Sequence, residues 1–265
     1  MSVPEAKIPR RLHYVWVGPK AVPDKVRRLV DGWRRLNPDY EVMHWHDDNI
    51  DWSWPFLRAA YGMRAWNRVS DFVRMWALLN HGGVYLDTDV ELRRPLDDLL
   101  CNDCFFGFQV KEPHPDWVNG AVMGAVPGHW FVRRLHRHFV ERMNGCEDLG
   151  SFYGPGLITK LLREEGLAAY SDAPQRVKDV TLYPTRWFYP YWFDEAFSED
   201  CVTPDTHAIH HWEETWKKPR RVAARLRWIA LWLSASASPE FAFRGTRAYV
   251  RRKRRQAAAA GREAG

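Results

Sequence analysis

The sequence predicts an α/β fold with a mostly parallel, Rossmann-like central sheet and flanking helices. Residues 12–18 are rich in β-branched and aromatic side chains and end at Gly18-Pro19, which is typical of a first strand. Apolar residues then recur at helical spacing from Val26 to Leu36. Residues 40–46 predict a second strand. A strand, a helix and a strand within roughly 35 residues form a βαβ unit, which requires parallel strands joined by a right-handed crossover.

A second helix and a third strand follow. The apolar pattern predicts a helix over 66–80 that stops at Gly82, and then a short strand over 84–86. Two carboxylates, Asp87 and Asp89, come directly after this strand. Ligands of open α/β sheets bind beyond the carboxyl ends of the strands, so we expect these acids at a binding site.

Composition limits the class of protein. The chain has 265 residues, 46% of them apolar and 27% charged, which indicates a globular domain with a real core. No apolar stretch near the start suits a signal peptide, and no stretch reaches the length of a membrane span. We therefore expect a cytoplasmic protein. The Cys101-x-x-Cys104 pair has no second pair to complete a zinc site, so we expect reduced thiols.

The Asp87-Thr88-Asp89 stretch has the chemistry of a metal site. Alternate side chains of an extended chain point to the same side, so the two aspartates can face one point. Hard oxygen ligands suit Mg²⁺ or Mn²⁺, ions that proteins usually share with substrate phosphates. This pattern predicts chemistry on a nucleotide diphosphate.

Asp71 and Arg74 lie three residues apart on the second helix and therefore share a face. An exposed ion pair of little energetic value would explain the spacing equally well. Their position just before the Asp87 strand favours a place in the same cleft. There the acid could accept hydrogen bonds from sugar hydroxyls, and the arginine could bind sugar or phosphate oxygens.

With these motifs the chain resembles the DXD-containing sugar transferases. This family includes bacterial capsular-polysaccharide transferases, fungal initiating α-1,6-mannosyltransferases and the catalytic domains of large glucosylating bacterial toxins. The resemblance rests on four blocks: Ile8-Pro9 with His13 and Trp16, Ser70-Asp71 through Asp89, Asn119 through Gly124, and His210-His211-Trp212 with Trp216.

The resemblance implies a GT-A fold, a UDP- or GDP-linked sugar donor and a divalent cation, usually Mn²⁺, with Mg²⁺ as the alternative. It implies that Trp16 stacks on the donor base and that Trp216 covers the phosphates. It implies roles in catalysis or metal binding for Asp71, Arg74, Asp87 and Asp89, and in donor binding for Ser70, Asp71, Arg74, Tyr85 and Asn119.

A third metal ligand is expected near the end of the motif series. A neutral imidazole at His211 suits this role, and its neighbour His210 would point the other way on a strand. The toxins have an acid at the position of His211, so a structural histidine is the alternative, and the sequence leaves open whether His211 or His210 is the ligand.

Charge divides the chain into two predicted parts, a catalytic domain over 1–216 and a basic amphipathic tail over 217–265. Residues 217–255 hold 13 Lys and Arg against a single acid, Glu240. A basic, Trp-containing helix suggests attachment to an anionic membrane surface, on the inner face of the membrane. Nucleic-acid binding is the weaker alternative because no nucleic-acid motif is visible.

The sequence therefore predicts a metal-dependent, retaining hexosyltransferase that acts on a glycan, lipid-linked or other hydroxyl acceptor. A nucleotide-sugar hydrolase could use the same site on water. A nucleic-acid-binding protein driven by the tail is the non-enzymatic alternative, but it leaves the two aspartates without a function.

Overall fold

A computed structural model describes residues 5–141 and 154–213, which belong to one compact unit. The predicted α/β class is confirmed. The helices of three residues or more are α1 (Asp24–Leu36), α2 (Pro55–Gly62), α3 (Trp66–His81), α4 (Trp130–Glu141), α5 (Pro155–Glu164) and α6 (Thr185–Phe188), with short 3₁₀ turns at Asp97–Leu99 and Glu199–Cys201. The predicted tail, residues 217–265, lies outside the described residues, as does Trp216.

Nine strands form two sheets within the described residues. They are β1 (Arg11–Val15), β2 (Glu41–Trp45), β3 (Gly83–Leu86), β4 (Val90–Leu92), β5 (Cys104–Phe108), β6 (Val118–Ala125), β7 (Gln175–Val177), β8 (Val180–Tyr183) and β9 (Ala208–His210). The main sheet has the order β2-β1-β3-β6-β5-β8-β7, in which β6 and β7 run against the other five strands. Strands β4 and β9 form a separate antiparallel ribbon.

The predicted βαβ unit is present, because β1 pairs in parallel with both β2 and β3. The turn from α3 into β3 depends on two glycines, Gly82 and Gly83, whose φ angles are +62° and +107°. A side chain at Gly83 would lie 2.7 Å from the Arg11 carbonyl oxygen, so the strand can approach β1 only with glycine there. This turn brings the carboxyl end of β3 to the same edge as that of β1.

Strand β6 lies in the middle of the sheet and is buried along its whole length. Its Gly124 packs directly on Phe105 of β5, where an added Cβ would be 2.3 Å from the ring. Large buried side chains such as Phe105, Phe131 and Trp33 fill the space between sheet and helices, and burial of each contributes about 1.5–3 kcal/mol. These packed side chains hold the sheet, and with it the carboxyl end of β3, in place.

Among residues 5–141 and 154–213, no helix combines the length and apolarity needed to cross a membrane. The described cysteines Cys101, Cys104 and Cys201 are free thiols, and burial raises the pKa of Cys104 well above its usual value. A protonated buried thiol is unreactive and packs like a small apolar group.

Candidate active site

Three side chains with metal-ligating atoms meet beyond the carboxyl end of β3. Ligand atoms of Asp87, Asp89 and His210 all lie within 4.8 Å of one another. Asp87 follows β3, Asp89 precedes β4, and His210 ends β9. The antiparallel pairing of β4 with β9 sets Val90 opposite His210, which carries the imidazole to the aspartates.

The structure brings His210, and not the expected His211, next to the two aspartates. His210 Nε2 lies 3.3 Å from Asp89 Oδ2, whereas His211 Nε2 donates to Glu91 Oε2 at 2.9 Å. Neighbouring residues point to opposite sides of an extended chain, so only one of the two imidazoles can face the aspartates. The ribbon pairing selects His210 and turns His211 away.

The segment after β9 wraps around Asp89. The backbone N–H of Glu213 donates to Asp89 Oδ2 at 2.7 Å, and the N–H of His211 donates to the Asp89 carbonyl oxygen at 3.0 Å. Trp212, between them, has a φ of +56°. Burial alone would raise the pKa of Asp89, but His210 and the Glu213 N–H outweigh it and lower the pKa. The carboxylate is therefore held ionised.

Arg74 links helix α3 to the aspartates. Its Nη2 atom lies 3.2 Å from Asp71 Oδ1 and 3.0 Å from Asp87 Oδ1. Its Nη1 atom donates to the Gly120 carbonyl oxygen at 2.9 Å. The side chains of Arg74 and Asp71 are only 9% and 14% exposed, so the alternative of a solvated surface pair does not apply. The face of α3 that carries Asp71 and Arg74 therefore lines the site.

Tyr85 and Ser70 fix the orientation of Asp87. The Tyr85 hydroxyl donates to Asp87 Oδ1 at 2.8 Å and is itself 2.8 Å from Ser70 Oγ. Burial raises the pKa of Tyr85 well above its usual value, so the hydroxyl keeps its proton. The Arg74 guanidinium lies 4.5 Å from the centre of the Tyr85 ring, in cation–π contact.

Asp71 differs electrostatically from Asp89. Burial raises the pKa of Asp71 to about 6; Arg74 opposes this shift and the charge of Asp87 adds to it. Its carboxyl group therefore changes charge near pH 6, next to a permanently charged guanidinium. Such a group can accept hydrogen bonds from hydroxyls when it is ionised.

Asn119 supports the site through the backbone. Its Nδ2 donates to Gln109 Oε1 at 2.5 Å, and its Oδ1 accepts from the Ala121 N–H at 2.8 Å. Both ends of the Asn119 amide are therefore hydrogen-bonded. The carbonyl oxygen of the next residue, Gly120, accepts the hydrogen bond from Arg74 Nη1. Gln109 is a supporting residue that the motifs did not indicate, since its link to Asn119 depends on the pairing of β5 with β6.

Trp16 lies just after β1, on the same edge of the sheet as Asp87. Its indole N–H donates to the Lys20 carbonyl oxygen at 2.7 Å, and its ring packs partly on the core. No hydrogen bond joins Trp16 to Asp87 or Asp89 among the described residues, and the role of Trp16 with the donor base stays a prediction. The same holds for Trp216, which lies outside the described residues.

The donor set fits a divalent cation. Two carboxylates and one imidazole supply oxygen and nitrogen ligands of the kinds that Mn²⁺ accepts. His210 Nδ1 is buried and has no hydrogen-bond partner among the described residues. Protein hydrogen bonds therefore do not occupy both ring nitrogens of this imidazole. The remaining coordination positions of such an ion would be open to phosphate oxygens or water.

Residues 23–106 match the family described as "Glycosyltransferase sugar-binding region containing DXD motif". A relative named "Uncharacterized glycosyltransferase L373" from Acanthamoeba polyphaga mimivirus is 25% identical over 69% of this chain and 73% of its own length. "Inositol phosphoceramide mannosyltransferase 3" from Schizosaccharomyces pombe is 31% identical, over 50% of this chain and 37% of its own. The human "Alpha-1,4-N-acetylglucosaminyltransferase" is 26% identical, over 66% and 52%.

The fold and the site define an α/β enzyme whose acidic motif follows the third strand. The resemblance to the DXD-containing glycosyltransferases drawn from the sequence is confirmed by the match over residues 23–106 and by these relatives. The chain spans only about a third to a half of the length of the fungal and human relatives.

Proposed function

We propose that this protein is a metal-dependent, retaining glycosyltransferase that moves a hexose from a UDP- or GDP-linked donor to a hydroxyl of a glycan or lipid-linked acceptor. One observation carries the proposal: Asp87, Asp89 and His210 converge, with ligand atoms within 4.8 Å, beside the Arg74–Asp71 pair. A metal-binding group beside a buried guanidinium and an acid suits a diphosphate joined to a sugar.

Asp87, Asp89 and His210 would hold the cation, Mn²⁺ or Mg²⁺. When bound, the ion acts as a Lewis acid that stabilises negative charge on the departing diphosphate. Tyr85 and Arg74 keep Asp87 in its ligating orientation. The Glu213 N–H does the same for Asp89.

Asp71 and Arg74 act on the donor sugar in this proposal. The ionised Asp71 carboxylate accepts hydrogen bonds from sugar hydroxyls, and Arg74 keeps that carboxylate from turning away. Retention follows a front-face displacement: the bond between anomeric carbon and phosphate oxygen breaks while the acceptor oxygen attacks from the same face. The acceptor proton passes to the leaving phosphate. Isolation of a glycosyl adduct on Asp71 by mass spectrometry would overturn this route.

The decisive experiment combines donor screening with turnover. UDP- and GDP-hexoses are tested by thermal shift with Mn²⁺, and release of the nucleoside diphosphate is then measured with and without glycan acceptors. We expect one donor to stabilise the protein and turnover to rise with acceptor. The Asp89→Asn variant should lose both effects, while Asp48→Asn, at an exposed acid outside the site, keeps them. Failure of every donor to bind or react would reject the proposal.

A nucleotide-sugar hydrolase is the second candidate, because the same groups could direct water. Donor turnover that is unaffected by any acceptor would favour it. A nucleic-acid-binding protein predicts binding that is sensitive to salt and survives Asp89→Ala.

We further propose that the basic residues after 216 attach the protein to an anionic membrane surface. Each basic residue near such a surface contributes about 1 kcal/mol at low ionic strength. The full chain should sediment with anionic vesicles at low salt, and a chain ending at Trp216 should not. Equal sedimentation of the two would reject this attachment.

A further inference from the structure

An aromatic surface adjoins the candidate metal site and has no role in the chemistry described above. It is formed by Trp192, Phe193 and Trp212, which we name the aromatic shelf. Their ring centres are 4.9 Å apart for Trp192 and Phe193, 5.5 Å for Trp192 and Trp212, and 6.5 Å for Phe193 and Trp212. Phe193 is 60% exposed, the largest exposure among the large apolar side chains of the described residues.

The shelf is continuous with the metal site. The Trp212 ring centre lies 4.4 Å from that of His210, whose imidazole faces Asp89. The indole N–H of Trp212 donates to the Tyr191 carbonyl oxygen at 3.1 Å, which ties it to the segment that carries Trp192 and Phe193. A molecule lying on Phe193 and Trp192 would thus extend toward the reacting centre.

The backbone at Trp212 is strained to make this connection. Its φ of +56° is a conformation that bulky residues rarely adopt, and such strain persists where the surroundings impose it, often at functional sites. This conformation allows Glu213 to donate to Asp89 while the Trp212 ring stays over His210. The short segment 210–213 therefore contributes to both the shelf and the candidate metal site.

The charge around the shelf indicates what it binds. Residues 187–213 contain six acids and no Lys or Arg. Three of these acids pair with cations from outside the segment: Glu199 with Arg93, Asp205 with Arg186, and Glu213 with Lys25. The acids next to the shelf, Asp194 and Glu195, are exposed.

An acidic rim repels anionic lipid headgroups and phosphates. It suits a neutral polyhydroxylated molecule, because carboxylates accept hydrogen bonds from hydroxyl groups. A pyranose ring combines such hydroxyls with an apolar C–H face that packs on a flat aromatic side chain. We infer that the aromatic shelf is the acceptor subsite and that it binds a neutral pyranose of a glycan acceptor. This inference rests on the proposed glycosyl transfer and names the class of acceptor substrate for that reaction.

The test measures binding of neutral glycosides to the full chain by saturation-transfer NMR, in the presence of diamagnetic Mg²⁺ and UDP or GDP. The probes are methyl α-mannoside, methyl β-lactoside and methyl β-maltoside. We expect at least one to bind, and Phe193→Ala to weaken its binding by about tenfold, the effect of losing one aromatic contact. Phe193→Tyr, which keeps the ring, should retain the binding.

Phe197 provides a matched control. It lies on the same segment and is 37% exposed, but its ring contacts Tyr191 and His211 instead of Trp212. Phe197→Ala should bind the glycosides as the unaltered protein does. The inference would be overturned if Phe193→Ala bound the glycosides as well as the unaltered protein does. It would also be overturned if Phe197→Ala lost as much binding as Phe193→Ala, or if the unaltered protein bound none of the three glycosides.

Two further arms separate the alternatives. If Phe193→Ala reduces sedimentation with phosphatidylglycerol vesicles and leaves glycoside binding unchanged, the shelf is a lipid contact and the inference is wrong. Release of nucleoside diphosphate from UDP- and GDP-hexoses by the unaltered protein is measured in parallel. That reaction tests the proposed function independently, because glycoside binding to the shelf requires no donor turnover.

Discussion

Arg74 is the residue on which the electrostatics of the site depend most. Burial by itself would lower its pKa, but Asp87, Tyr85 and Asp71 outweigh the burial and raise it. The guanidinium of Arg74 thus balances the negative charge of two largely buried carboxylates, those of Asp71 and Asp87. Replacing it affects the whole group, since two like charges would then face each other without a cation.

We predict that Arg74→Ala lowers the free energy of unfolding by about 3–5 kcal/mol, the usual result of breaking a buried ion pair from one side. Urea unfolding at pH 7.5 measures the change. Arg34→Ala is the control: Arg34 pairs with Asp31 at 3.2 Å on the exposed face of α1, and its loss should cost no more than about 1 kcal/mol. Equal effects of the two variants would contradict the compensating role of Arg74.

His210 and His211 offer a comparison between neighbours of the same type. His210 faces Asp89, while His211 donates to Glu91 on the other side of the ribbon. We predict that His210→Gln weakens Mn²⁺ binding at least about tenfold, as loss of a ligand or of its support does at metal sites. His211→Gln should bind the ion normally. Mn²⁺ titration followed by electron paramagnetic resonance measures both, and the reverse ranking would restore His211 as the ligand.

At the scale of elements, His13 joins β1, β2 and the end of α3. Its Nε2–H donates to the Gly82 carbonyl oxygen at 2.7 Å, and its Nδ1 accepts from the Trp45 indole N–H at 3.2 Å. These two bonds require the neutral ring. Burial, the main cause, lowers the pKa of His13 from 6.5 to about 4.

A lowered histidine pKa means that the unfolded chain binds the proton more tightly than the folded protein. The contribution of His13 to stability is therefore complete above about pH 6.5 and declines as the pH falls toward 4, by about 1.4 kcal/mol per pH unit. His13→Gln, which does not titrate, should show a shallower decline in the free energy of unfolding over this range. Identical pH profiles for the two proteins would mean that His13 does not titrate in this way.

A second prediction at the scale of elements concerns strand β6. Gly124 has no side chain where the Phe105 ring lies, and an added Cβ would approach that ring to 2.3 Å. Gly124→Ala should therefore destabilise the protein by about 1–3 kcal/mol through overpacking. Combining it with Phe105→Leu should recover part of the loss, which thermal unfolding of the single and double variants would show. Additive losses would argue against direct overlap.

At the scale of the whole molecule, the candidate metal site joins three separate parts of the fold. Asp87 and Asp89 flank the junction of β3 and β4, and His210 comes from β9, more than a hundred residues later. An ion that binds all three groups in the folded state alone must stabilise the entire unit.

We predict that Mn²⁺ at 100 times its dissociation constant raises the free energy of unfolding by about 2.7 kcal/mol, and that EDTA removes this gain. Thermal unfolding with and without the ion measures it. Asp89→Asn should unfold at the same temperature in both conditions. A Mn²⁺ effect that persists in this variant would indicate binding elsewhere.

Local features of the fold could be predicted from the sequence because they depend on neighbouring residues. Helix α3 was expected over 66–80 and extends over Trp66–His81, with its stop at Gly82. The aromatic stretch after α6 resisted prediction because it has no periodicity. Its side chains are ordered by distant partners, as when Trp212 packs on Trp192.

The amino-acid sequence alone determined the α/β class, the resemblance to the DXD-containing glycosyltransferases, and the convergence of Asp87 with Asp89 and of Asp71 with Arg74. Spacings of two in an extended chain and three in a helix place those side chains together wherever the segment lies. Only the tertiary structure placed His210, rather than His211, beside the aspartates and joined the aromatic shelf to the candidate site. Both depend on the register that sets Val90 opposite His210, a pairing between segments far apart in the chain that no local spacing specifies.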